Sequence, residues 1–418
     1  MNRFFVNEKA TQSARELGAR GTGEPADPAV AAQAAGAPVQ AAPAPDPLLF
    51  HRTMPGYEPT PLVSTPGLAH ELGVGSLVVK DQSSCFGLPA FKIIGASWAV
   101  NCAVSDLLGL PPAPSFAALV ERAEALRPLK LVTATDGNHG RAVAHMAALL
   151  GLDATIYVPT GTVPARIDAI RSEGARLEVV DGPYDDAVAR AAQDAGPRCL
   201  IVSDTSWPGY ESTPKAVIGG YATIMHEIDA QLAALGAPRP DLVLVQNGVG
   251  ALAAAVGAHY GDGDHDGGAG GNDCGSAGHG PVLVSVEPDD AACMLESLAA
   301  GRIVTIPGPH RSIMAGLNCG TLSMVAWPVL QTTFQLCITV DDDRARRAMC
   351  LLADAGIESG ECGASGLAGL LALCEAPEFG EPRTRFNIGP DTNVLVFSTE
   401  GATDPEAYAA IVGSPPHR

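Results

Sequence analysis

Positive charge is scarce in this chain: 26 lysines and arginines face 46 aspartates and glutamates, for a formal net charge of −20. So few cations cannot build the basic surface that displaces counterions from a polyanion. Neither a nucleic-acid nor a membrane partner is therefore expected. Any anionic ligand would have to be held by backbone amides and local dipoles. Long apolar runs are missing too, both across the chain and between Met1 and Asn7, which excludes a bilayer span and a secretory leader. A cytoplasmic protein is expected. The ten cysteines (85, 102, 199, 274, 293, 319, 337, 350, 362 and 374) contain no CxxC pair. That argues against a zinc ribbon or a disulfide framework, so no metal is expected and most thiols read as reduced and buried.

What is present is apolar surface to bury. Hydrophobic residues make up 46% of the 418 and charged ones only 17%, a balance that fits a well-packed enzyme of two domains or one large one. Residues 1–48 read as a low-complexity arm rich in Ala, Pro and Gly, with order beginning near His51. From there strands and helices alternate. Ser76–Lys80, Leu129–Ala134, Ala154–Val158, Leu177–Val180 and Cys199–Ser203 read as strands, as do Leu242–Gln246, Val282–Glu287 and Asn393–Ser398. Helices are predicted at Arg141–Leu150, Pro164–Glu173 and Tyr184–Asp194, with one long helix over Pro214–Leu235. Short β-rich runs between amphipathic helices predict α/β architecture, with parallel sheet covered on both faces. Residues 261–280 interrupt this rhythm. Their His265, Cys274 and His279 match no metal-ligand spacing, and the segment reads as a flexible insert.

Lys92 stands out. It follows Phe91 and opens the apolar run Ile93–Val100, so its charge lies at a helix start among apolar neighbours. Both effects favour the neutral amine that Schiff-base chemistry needs, although a lone lysine in that position can equally snorkel to solvent. Three loops at strand ends strengthen the chemical reading. Thr135-Asp136-Gly137-Asn138-His139-Gly140 joins a strand to a helix, where backbone amides can meet a carboxylate. Gln246-Asn247-Gly248-Val249-Gly250-Ala251-Leu252 has the glycines of a phosphate nest but not the dinucleotide spacing. Ser398-Thr399-Glu400-Gly401 offers hydroxyls to a ring nitrogen. Singly, each is an ordinary turn. An amine for an aldehyde, a nest for a phosphate and a hydroxyl for a heterocycle are together what pyridoxal 5′-phosphate (PLP) requires.

The order Phe-Lys, Gly-Asn-His loop, Gly loop resembles the fold type II PLP enzymes, which include the serine and threonine dehydratases. The segments Phe86–Lys92, Thr135–Gly140, Ser203–Glu211, Met314–Gly320, Glu358–Ala364 and Thr399–Pro405 are similar to the diaminopropionate ammonia-lyase branch. Two departures stand at Cys85, where that branch is expected to carry an arginine, and Gln82, where an acidic residue is usual. The resemblance implies two domains, each with a twisted, mostly parallel sheet flanked by helices, and the cofactor in the cleft between them. Residues 49–92 and 206–418 would form the large domain, and 93–205 the small one, in a homodimer.

By the same resemblance Lys92 carries the Schiff base beside Phe91, and Asn138 bonds the ring oxygen. The amides of Gly248, Val249, Gly250, Ala251 and Leu252 hold the phosphate. Thr399 meets the pyridine nitrogen, with Ser398 in reserve. Thr135, Asp136, Gly137 and His139 face an amino-acid substrate. Asp136 is either a second base opposite Lys92 or a helix cap, and Asp204 assists at the substrate amine. The implied reaction is the elimination of both amino groups of 2,3-diaminopropionate as ammonia, leaving pyruvate. Three alternatives share the machinery: a serine or threonine dehydratase, a β-replacement synthase, and a cofactor-binding protein without activity.

Overall fold

Short Val/Leu/Ile runs, each closed by a polar turn, become buried strands. The computed structural model describes residues 3–13, 45–135, 137–182, 184–261 and 280–416. In chain order its strands are β1 (Phe4–Val6), β2 (Leu62–Ser64), β3 (Ser76–Asp81), β4 (Lys130–Ala134), β5 (Asp153–Pro159), β6 (Arg176–Val180), β7 (Cys199–Ile201), β8 (Leu242–Gln246), β9 (Val282–Pro288), β10 (Leu336–Val340) and β11 (Asn393–Ser398). Seven form one sheet in the order β1-β10-β9-β8-β11-β3-β2, and four form a second in the order β6-β5-β4-β7. The small sheet is parallel throughout. In the large one only the edge strands β1 and β2 run antiparallel. This is the fold type II α/β architecture. No described helix is long and apolar enough to cross a membrane.

Six helices matter for the site: α1 (Lys92–Asp106), α2 (Asn138–Leu150), α3 (Pro164–Ser172), α4 (Ser212–Gly220), α5 (Ala222–Leu235) and α6 (Ala251–Gly261). Nearly every residue of α1 is buried, as its all-round apolar sequence requires. It packs against both α2 and α4, and so lies between the small sheet and the large one.

Three expectations need correction. Residues 3–13 are not part of a detached arm. Phe4–Val6 pair with Leu336–Ile338, and the Asn7 side chain donates to the carbonyls of Gln331 and Phe334, both at 3.0 Å. A three-residue strand is too short to show periodicity, yet its aromatic and β-branched residues suit the edge they cover. Residues 14–44 and the insert at 262–279 lie outside the described residues. The long helix over Pro214–Leu235 is two helices, α4 and α5, joined at Tyr221. A Cβ on Gly220 would stand 2.7 Å from the Ile94 carbonyl, and one on Gly95 would stand 2.7 Å from the Tyr221 ring. Two glycines thus bring α1 and α4 together backbone to backbone, and the chain turns there. Finally, of the nine described cysteines only Cys85, Cys293, Cys337 and Cys362 are buried, and the others are half-buried.

A buried ion pair fixes the strand that leads to Lys92. The Lys80 ammonium, fully shielded on β3, donates to the Thr60 carbonyl at 2.7 Å, Glu227 Oε2 at 2.8 Å and Gln231 Oε1 at 2.9 Å. Burial lowers the Lys80 pKa, and Glu227 opposes that shift. Glu227 also accepts from the Tyr57 hydroxyl at 3.0 Å and the Thr60 hydroxyl at 2.9 Å. Nearby, buried His51 bridges Thr223 Oγ1 at 2.7 Å and Ser97 Oγ at 2.9 Å, tying α5 to α1. Its pKa is pushed down to about 3 by burial, so the ring is neutral. Glu227→Ala would strand the Lys80 charge. The expected loss is about 3–5 kcal/mol in urea unfolding, with Lys80→Met in the same chain recovering much of it. An unchanged midpoint would show that the pair does not stabilise the fold.

Candidate active site

The carboxyl ends of β4, β8 and β11 converge on the start of α1, the position where open parallel sheets bind ligands. The loop before Lys92 is stitched to the extension of β11. The Phe91 N–H donates to the Thr399 carbonyl at 3.2 Å, and the Gly401 N–H to the Pro89 carbonyl at 3.0 Å. A cavity of about 300 Å³ opens there, the lower end of the range for small-molecule sites. Its walls include Phe91, Lys92, Asn138, Asp204, the Gly248–Leu252 loop and Thr399.

Lys92 Nζ donates to Asp204 Oδ2 at 2.8 Å and lies 5.4 Å from the Phe91 ring centroid. The Phe91 ring in turn packs on Tyr221, with centroids 4.9 Å apart. The sequence showed only the apolar neighbours of Lys92. The structure adds an opposite charge, 112 residues away along the chain. Burial would raise the Asp204 pKa, but the Lys92 ammonium and then His139 outweigh it and hold the carboxyl well below its usual range. His139 Nε2 donates to the Val202 carbonyl at 2.8 Å. Its Nδ1 lies 3.9 Å from Asp204 Oδ2.

The remaining predicted residues divide between the cavity and its scaffold. Thr135 is buried and off the cavity, its hydroxyl accepting from the N–H groups of Gly137 at 2.9 Å and Gly140 at 3.0 Å. It shapes the loop that opens α2. His139 is also off the cavity wall, turned toward Val202 and Asp204. Asp136 lies outside the described residues. Asn138 is on the wall, and its amide donates to Glu400 Oε2. Thr399 Oγ1 accepts from Gln246 Nε2 at 3.0 Å. Ser398 is fully buried, donates to Ser359 Oγ at 2.8 Å and does not reach the cavity.

Two carboxylates escaped the residue-by-residue reading. Glu400 is buried and accepts from the Cys362 N–H at 3.1 Å as well as from Asn138. Glu361 beside it is pushed up to about 7 by burial and then by the charge of Glu400. The segments that carry them, Thr399–Pro405 and Glu358–Ala364, were visible. Their meeting with Asn138 was not.

The residues fit a flat, phosphorylated aldehyde. Gly250 has φ +97°, and a Cβ there would stand 2.8 Å from Leu330 Cδ1. One on Gly248 would stand 3.1 Å from the Gly316 carbonyl. Gly250 therefore demands glycine and Gly248 leaves little room for a side chain, so together they leave a backbone-lined cradle before α6, whose first N–H groups have no intrahelical partners. Opposite stands a primary amine. Gln246 lines the cavity, and its buried Oε1 has no hydrogen-bond partner among the described residues.

The chain belongs to the family of pyridoxal-phosphate dependent enzymes, whose description fits residues 53–388. Within that class it is similar to diaminopropionate ammonia-lyases. It is 36% identical over 379 residues to that of Salmonella typhimurium, covering 87% of this chain and 90% of the relative. The crystal structure of Escherichia coli diaminopropionate ammonia-lyase in complex with D-serine superposes with a TM-score of 0.77 at 30% identity, over 99% of this chain and 97% of that one. Another crystal structure of that enzyme holds an aminoacrylate-PLP azomethine reaction intermediate, with a TM-score of 0.76 at 31% identity and the same coverage.

Proposed function

We propose that this protein catalyses the PLP-dependent α,β-elimination of 2,3-diaminopropionate to pyruvate and two ammonia. The observation that carries the reading is the amine of Lys92, paired with buried Asp204 across a cavity from a backbone phosphate cradle. When bound, the cofactor supplies an electron sink that acidifies the α-carbon of an attached amino acid.

The chain's own residues do the rest. Lys92 would hold the cofactor aldehyde, and its amine is the base for the α-proton on one face. The backbone amides of Gly248–Leu252 would cradle the phosphate, Phe91 would pack against the ring, Asn138 would bond its oxygen, and Thr399 would take the pyridine nitrogen. While the Lys92 amine is protonated, its charge and then that of His139 hold the Asp204 pKa down. With the lysine engaged elsewhere, that carboxylate is available to the departing ammonium group. Thr135, Gly137 and His139 shape the substrate loop, and Asp136 in it is the base for the opposite face. Residues 49–92 with 206–418, and 93–205, are the two domains of a cytoplasmic homodimer.

Asp136→Asn tests the assignment, since it keeps size and most hydrogen bonding but removes basicity. Loss of a general base typically costs about 10²–10⁴-fold. That loss is expected for the D-enantiomer of 2,3-diaminopropionate, with the L-enantiomer much less affected. Equal, small losses for both would make Asp136 a helix cap. The wild type should release two ammonia per pyruvate. High activity on serine with none on diaminopropionate would instead mark a dehydratase.

A further inference from the structure

Gln246 ends β8 just before the glycine loop, and its side chain reaches the neighbouring strand β11. Its Nε2 lies 3.1 Å from the Cys362 carbonyl, 3.2 Å from that of Gly363 and 3.1 Å from that of Phe397. A fourth oxygen, Thr399 Oγ1, stands at 3.0 Å. Three carbonyls around one arm fix that arm as the nitrogen, because an amide oxygen there would face only other acceptors. The same choice leaves Oε1, on the other arm, buried without a partner among the described residues. The amide forgoes a bond at its oxygen to keep its nitrogen in place.

The chain around it is shaped for this contact. A Cβ on Gly363 would stand 2.7 Å from the Glu400 carbonyl, and one on Gly360 would collide with that of Gly401. Bare backbone at both positions lets residues 360–363 lie against the turn that carries Thr399. Thr399 is held through its main chain as well, since its carbonyl accepts from the Phe91 N–H at 3.2 Å. An amide nitrogen accepts no hydrogen bond, so the Thr399 hydroxyl cannot donate to Gln246. Among the described residues no acceptor takes its proton, and Thr399 lines the cavity.

We propose that Gln246 is a positioning residue: it turns the Thr399 hydroxyl proton toward the pyridine nitrogen and so keeps that nitrogen an unprotonated acceptor. The inference rests on the reading that places Thr399 at the ring nitrogen, and adds the residue that sets the direction of its hydroxyl. A nitrogen that accepts a hydrogen bond draws electrons less strongly than a protonated one, so Gln246 tunes the cofactor through Thr399. The competing role for Gln246 is a clasp on three backbone carbonyls. A clasp would affect stability with no link to the Thr399 hydroxyl.

The test uses the holoenzyme, reconstituted with cofactor isotopically labelled at the ring nitrogen, whose magnetic resonance reports its bonding. Wild type should show a hydrogen-bonded, unprotonated nitrogen. Gln246→Met removes the donor and leaves carbonyls to which the Thr399 hydroxyl can turn. The resonance should leave its wild-type position, and Thr399→Val should move it in the same direction. The double variant should move it no further than Thr399→Val alone, because Gln246 acts through that hydroxyl. Cofactor affinity should follow the same pattern, with about a 2- to 10-fold loss in each single variant, the scale of one neutral hydrogen bond. Gln246→Glu has the same shape and serves if the methionine chain folds poorly. Both its arms carry oxygen, so the hydroxyl can again turn away from the ring and the same shift is expected. A wild-type resonance in either folded variant, or shifts that add in the double variant, would overturn the assignment. So would a protonated nitrogen in wild type, or a Thr399→Val enzyme with an unmoved resonance. A protein that shows the expected pattern yet never consumes diaminopropionate would sink the elimination reading and leave Gln246 standing.

Discussion

Lys92→Ala should be colourless and inactive, with no measurable turnover of any amino acid. Among the described residues Lys92 is the lysine on the cavity wall, so no second amine is placed to bond the aldehyde. The side chain is 22% exposed, and its removal should leave far-ultraviolet circular dichroism unchanged. The local electrostatics change more. Asp204 loses the cation 2.8 Å away and keeps only His139 at 3.9 Å, so burial gains weight and its pKa should climb. A depressed carboxylate pKa stabilises the fold above the unfolded value and loses that contribution as pH falls through the folded one. The variant should therefore lose part of the stability that Asp204 gives wild type at neutral pH. Borohydride reduction is the decisive measurement. Cofactor still fixed to the Lys92→Ala protein would place the Schiff base on another residue.

Gly250→Asp should lower cofactor affinity by orders of magnitude. Three effects act together at this residue. Its φ of +97° is a conformation that side-chain-bearing residues rarely adopt. The new Cβ would press on Leu330 Cδ1 at 2.8 Å and on Ala326 Cβ at 3.2 Å. The carboxylate would then bring a like charge into a nest that suits a phosphate. Gly250→Ala separates these contributions, because it carries the strain and the contact but not the charge. Equilibrium dialysis of the apoprotein against the cofactor gives both numbers. Unchanged affinity in the aspartate variant would mean that the phosphate lies elsewhere.

Much of this could be read before any coordinates, because strand-end loops announce themselves locally. Gly248 and Gly250 follow five buried strand residues, Leu242–Gln246, and the helix begins at Ala251. Such junctions are legible within ten residues of chain. Pairings across the chain are not. Asp204 reaches Lys92 over 112 residues and Glu400 reaches Asn138 over 262, and no local pattern encodes either meeting. The break at Tyr221 was hidden for a related reason, since Gly219 and Gly220 weaken a helix without ending it unless a neighbour such as α1 presses close.

The strand order also sets a timetable for synthesis. All four strands of the small sheet lie between residues 130 and 201, so that sheet can be completed while the rest of the chain is still being made. The large sheet cannot. β3 pairs with β11, whose facing ends at Ser76 and Asn393 are 317 residues apart. Closing so long a loop is only modestly costlier than closing a shorter one, because the entropy grows logarithmically with length. Waiting is the larger burden. Until the ribosome has released β11, the β3 edge that leads to Lys92 lacks its neighbour, and the loop before the lysine has no Thr399 carbonyl to hold it. The reactive amine is translated 307 residues ahead of the Thr399 carbonyl that holds its loop.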